Sequence, residues 1–81
     1  IKRQFAQALN AKRAIIFYES PFRVIETLEI AREIFGPDCF CLIGREMTKK
    51  FEEFIAGPLG DVPEKLKQKE ILGEFTVLVK P

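Results

Sequence analysis

The chain has 81 residues, 47% hydrophobic and 31% charged, with 13 basic against 12 acidic side chains. That length suits one small domain rather than two, and the near-balance of charge excludes a domain that holds nucleic acid by charge alone, which needs a basic stripe. There is no histidine, there are two cysteines, and the longest apolar run is far too short for a bilayer, so the residues carry no zinc site, no Ser-His-Asp or Cys-His arrangement and no membrane span.

Ile1, Phe5, Ala8 and Leu9 fall close to helical spacing and predict a first helix that Asn10 can end. The start at Ile1 rather than Met, without a charged-then-apolar leader, reads as a piece cut from a longer protein. Ala14 to Tyr18 is a continuous apolar run, and a strand apolar on both faces belongs between two covering layers. Ser20 suits an N-cap and Pro21 a first helical position, where proline's missing N–H costs nothing. Val24, Ile25, Leu28, Ala31 and Phe35 form one stripe of helical period, stopped by Gly36-Pro37.

Cys39 to Ile43 is a second apolar strand. Its cysteines, two positions apart, share a face and are poorly placed to bridge each other, so buried reduced thiols are expected. Strand, helix and strand in about 30 residues imply two parallel neighbours with a right-handed crossover. Arg45 to Lys50 reads as a polar connection and Phe51 to Ala56 as a third strand antiparallel to the second. Asp61 with Glu64 resembles a capping box opening a short helix through about Lys69, and Gly73 to Val79 is the last strand. The expected fold is α/β: a mixed four-stranded sheet with helices packed on it, one βαβ unit, and a single domain over residues 1–81.

Open α/β sheets bind ligands at the loops beyond the carboxyl ends of parallel strands. With the first two strands as neighbours, the Glu19-Ser20 and Arg45–Lys50 loops share one edge. Tyr18, Glu19, Arg23, Arg45, Glu46, Thr48 and Lys49 then gather beside a helix N-terminus. Structural roles stand beside this reading. Glu19 can pin the loops by pairing with Arg45 or Arg23, Glu46 can pair with Lys49 or Lys50, and Thr48 can bond its own turn. The basic pairs Lys2-Arg3, Lys12-Arg13 and Lys49-Lys50 read as solvated surface. The five glycines are isolated, so there is no phosphate-cradling loop. Taken alone, these residues make a small α/β domain with one polar edge, better suited to binding than to catalysis.

"IFYESPFR" (Ile16 to Arg23) and "REMTKKFEE" (Arg45 to Glu53), with "FGPD" between them and "GEFTVLV" near the end, resemble the C-terminal half of the ribosomal small subunit methyltransferase I family. The resemblance runs from about Lys12 to Lys80 and places the chain in the tetrapyrrole (corrin/porphyrin) methylase superfamily. It implies a cytoplasmic, two-domain enzyme that uses S-adenosylmethionine to methylate the ribose 2′-oxygen of a cytidine in 16S rRNA of the small ribosomal subunit. The implied cofactor site is a cleft against an N-terminal domain that this chain lacks, so the chain alone is expected to be inactive. It also implies a share in a homodimer interface. Carried over by position, Tyr18, Glu19, Ser20, Pro21 and Arg23 face the cleft, with Arg45, Glu46, Thr48 and Lys49. No catalytic residue is assigned. The family usually reads Ser-Pro-His-Arg where this chain has Phe22, so that histidine's role cannot be supplied here. Two other readings stand beside this one, a small-molecule tetrapyrrole methylase domain and a non-catalytic protein-interaction module.

Overall fold

The architecture follows from which strand faces carry the large apolar side chains. A computed structural model describes residues 1–48, 51–69, 71 and 73–81, and the side chains of 46–48, 51 and 52 stand outside that description. The elements are α1 (Lys2–Ala11), β1 (Ile15–Glu19), α2 (Val24–Phe35), β2 (Phe40–Thr48), β3 (Phe51–Pro58), α3 (Val62–Lys67) and β4 (Glu74–Lys80). The strands form one sheet in the order β1-β4-β2-β3, each neighbouring pair antiparallel.

The α/β class and the helices packed on a four-stranded sheet are as expected, but the pairing differs. β1 and β2 run in the same direction and are joined through α2, yet β4 lies between them and pairs with both. The mixed sheet with parallel neighbours is therefore corrected to an antiparallel sheet that holds a split βαβ unit. The cause lies in β4, whose Phe75, Val77 and Val79 are all buried on one face. A central position gives this apolar strand ladder partners on both edges and leaves neither edge in water.

Phe5 of α1 anchors the core, with its ring centroid 5.4 Å from those of Phe17 and Phe35. Val24, Leu28 and Ala31 of α2, with Val62 and Leu66 of α3, complete the layer over Cys41, Ile43, Phe75, Val77 and Val79. Among the described residues, only this face of the sheet is covered. β1 alternates between half-buried and exposed, with Ile16 and Tyr18 turned outward, which corrects the expectation of a strand between two layers.

The helix ends also depart from expectation. α1 runs past Asn10 and closes at Lys12 in the left-handed region, where Arg13 N donates to Ala8 O and Lys12 N to Leu9 O. These are the paired bonds of a left-handed helix cap, made here without glycine. α2 is assigned from Val24 rather than Pro21, although the Ser20 carbonyl already accepts from Val24 N at 3.0 Å. Asp61 stands at the start of α3, but neither it nor Ser20 caps through its side chain. Cys39 precedes β2 and its thiol donates to Phe35 O. Cys41 is buried, which pushes its thiol pKa up to about 12, and both cysteines are free.

Candidate functional site

The two motifs meet at one end of the sheet. Register places Glu19 of β1, Phe75 of β4, Arg45 of β2 and Glu53 of β3 in a single row. Residues directly opposite one another point to the same face, here the helix-covered one. Arg45 belongs to a nine-residue β2 rather than to a connecting loop, which corrects the polar-connection reading.

Within the row the polar groups have definite partners. The Glu19 carboxylate accepts the Ser20 N–H at 3.0 Å and the Thr27 hydroxyl at 2.7 Å, tying the end of β1 to the first turn of α2. Arg45 Nη2 lies 2.6 Å from Glu53 Oε2, and Lys69 Nζ lies 2.8 Å from Glu53 Oε1. The ion pair expected between Glu19 and Arg45 or Arg23 is thus replaced by these contacts. Glu53 sits on the strand next to Arg45, whereas Glu19 is two strand spacings away, about 10 Å, with the buried Phe75 between. The hydrogen bond from Lys69, followed by the charge of Arg45, holds the Glu53 carboxyl below its ordinary pKa.

The remaining candidates divide by face. Tyr18 stands on the open face in a row with Thr76, Gly44 and Phe54. An added Cβ on Gly44 would lie 3.2 Å from Phe54 Cε1, so the Phe54 ring covers the glycine. Ser20 and Pro21 are half-buried in the turn, and Phe22 and Arg23 project from it, Phe22 being 95% exposed. The backbone of Glu46 pairs with Glu52 and Glu74, and that of Thr48 with Phe51. Lys49, and with it the pairing of Glu46 with Lys49 or Lys50, lies outside the described residues.

Thr27, Glu53 and Lys69 carry the polar contacts of this end without having been singled out from the sequence. Thr27 is legible as the one polar residue on the buried stripe of α2, and Glu53 as the partner that a β2-β3 hairpin sets opposite Arg45. Lys69 left no such signal, because only the tertiary fold brings it to β3. A surface hollow of about 630 Å³ lies at the opposite end of the sheet, between Arg32, Asp38, Pro58 and Asp61. Another of about 450 Å³ runs between β3 and α3, beside Phe54, Lys65 and Lys69. Neither is lined by Tyr18, Glu19, Arg23 or Arg45, so neither is the expected cleft. Among the described residues no group of three His, Cys, Asp or Glu side chains is arranged to hold a metal, and no helix is long and apolar enough to cross a membrane.

No protein-family model matches the chain. Proteins named ribosomal RNA small subunit methyltransferase I do resemble it along nearly its whole length. The Bacillus subtilis protein is 41% identical over 80 residues, covering 98% of this chain and 27% of that protein. The Rickettsia prowazekii protein is 36% identical over 78 residues, covering 96% and 28%, and the Thermotoga maritima protein 38% over 79 residues, covering 96% and 35%. Over nearly its whole length the chain is homologous to a part of these ribosomal RNA small subunit methyltransferase I proteins. It spans roughly a third or less of these relatives' length. Among solved structures, that of the methyltransferase CobJ superposes with a TM-score of 0.65 at 26% identity, covering 98% of this chain and 34% of that one. This fold agrees with the superfamily that the motifs imply.

Proposed function

We propose that the chain is the C-terminal part of an S-adenosylmethionine-dependent, cytoplasmic rRNA methyltransferase that modifies the ribose 2′-oxygen of a 16S rRNA cytidine, and that it works only with an N-terminal domain. The observation that carries this reading is the joint placement of the two motifs. Residues of "FYESPFR" and "REMTKKFEE", far apart in sequence, end at the same edge in a chain whose relatives are named rRNA methyltransferases.

The side chains at this edge fit one wall of a cofactor and substrate cleft. Tyr18 offers an exposed ring against which a heteroaromatic base can stack, and Arg23 an exposed guanidinium suited to a phosphate or carboxylate. Bound S-adenosylmethionine supplies an electrophilic methyl group. The chain's own work is to position: Glu19 with Thr27 fixes the turn that presents Arg23, and Arg45, Glu53 and Lys69 hold the hairpin beside it. Phe22 can neither accept nor donate a proton, and Glu19 is already engaged. Neither of these two side chains is offered as the group that takes the ribose proton.

The test uses the full-length enzyme with Arg23→Ala. Ribose-methylation mapping of small-subunit rRNA should show activity reduced about tenfold or more, as for loss of a charge-assisted phosphate contact, with little change in melting temperature. Normal specific activity would overturn the assignment of Arg23. The CobJ resemblance favours, as a second reading, methylation of a small tetrapyrrole, which requires the full-length enzyme to transfer the methyl group to that substrate while mapping shows the rRNA ribose unmodified.

A further inference from the structure

Among the described residues Phe22 is the most exposed of the large apolar side chains, at 95%. A ring placed this way buries almost none of its surface and adds almost nothing to the core. The turn that carries it is nevertheless firmly built. Pro21 before it has a fixed φ, and the Ser20 carbonyl accepts both Arg23 N at 3.1 Å and Val24 N at 3.0 Å. The Glu19 carboxylate holds the Ser20 N–H and the Thr27 hydroxyl on either side of the turn. The backbone thus presents the Phe22 ring in one place, with little ordering left for a partner to impose.

The surroundings of the ring indicate what that partner is. Arg23, the next residue, is also exposed, and among the described residues no carboxylate pairs with its guanidinium. Glu26, one helical turn on, is exposed as well. The core of a protein–protein contact is depleted of charge, so an isolated ring between charged neighbours suits it poorly. A flat ring with a cation beside it is how proteins hold unpaired nucleic acid: the ring takes the face of a base and the cation takes the backbone. We infer that Phe22 is a base-stacking residue, its ring lying on one unpaired rRNA base while Arg23 contacts a phosphate of the same strand.

This role rests on the proposed action on rRNA and adds a property of the substrate to it. Every base has a flat face, but a base inside a duplex has both faces covered by its neighbours. Phe22 therefore selects an unstacked nucleotide over a paired one without choosing among the four bases, and it holds the strand whose ribose is to accept the methyl group.

Steady-state methylation of unmethylated small ribosomal subunits by the full-length enzyme tests it. Phe22→Ala should raise KM for the subunit about tenfold or more, while kcat, KM for S-adenosylmethionine and melting temperature change little. Phe22→Leu keeps the apolar bulk without the flat face and should lose as much, whereas Phe22→Tyr and Phe22→Trp should stay close to wild type. Filter binding of the same subunits separates the two neighbours. Arg23→Ala should flatten the dependence of affinity on salt, and Phe22→Ala should lower affinity by the same factor at every salt concentration. An unchanged KM in Phe22→Ala would overturn the inference, as would a Phe22→Leu enzyme that matches wild type. So would a loss accompanied by a lower melting temperature, which would show the ring packed against another part of a longer polypeptide. A wild-type enzyme that methylates no rRNA overturns both this role and the proposed function, whereas an active enzyme indifferent to Phe22 overturns this role alone.

Discussion

At the scale of single residues, Glu53 shows how a local motif acquires its partners. Its two carboxylate oxygens face different cations, Arg45 on the neighbouring strand and Lys69 beyond α3. Both favour the ionised carboxylate, so the folded-state pKa lies below the ordinary value of 4.5. A carboxyl depressed on folding adds stability that is fully present above its unfolded pKa and is lost as pH falls through the folded one. The melting-temperature gap between wild type and Glu53→Gln should therefore be widest at neutral pH and close as pH is lowered below 4.5. A gap independent of pH would show that the pairs contribute nothing. "REMTKKFEE" carries opposite charges at its two ends, but a sequence reading that takes Arg45 for a loop residue pairs it with Glu19 instead. Lys69 could not be foreseen, since nothing local links it to β3.

At the scale of elements, β2 is the instructive case. Arg45 and Glu46 look like the start of a polar loop, yet the strand continues to Thr48 because β3 and β4 flank it and supply ladder partners through Glu46. Polarity alone cannot separate an exposed strand from a loop when the partners come from distant sequence. The turn after β3 is more tightly built. Gly60 N donates to Pro37 O at 2.9 Å, and an added Cβ would lie 2.9 Å from Pro37 Cβ and 3.3 Å from Pro37 O. Gly60→Ala must push the two segments apart, and chemical denaturation should register a loss of roughly 1–3 kcal/mol, the usual cost of overpacking. Unchanged stability would mean that this turn yields freely.

At the scale of the whole molecule, one helix-covered face and one open face form a two-layer unit, and on the proposed reading the motif edge supplies a single wall of a cleft. The isolated chain should accordingly bind S-adenosylmethionine weakly or not at all, and calorimetry showing micromolar affinity would overturn the single-wall reading. The apolar runs of β1, β2 and β4, the helical stripe of α2 and the two motifs were all legible in the sequence, because each is set by nearest-neighbour chemistry and by side-chain period. They determined the α/β class, the helix layer and the family resemblance. The insertion of β4 between β1 and β2 was decided only in the folded state, by which strand gains most from ladder partners on both edges. The same holds for Arg45, which turned to Glu53 because two strand spacings and the Phe75 ring separate it from Glu19. A run apolar on both faces records that each face is to be buried, but not against what. For β1 only the tertiary structure shows that this chain's own helices cover one side and leave Ile16 and Tyr18 facing outward.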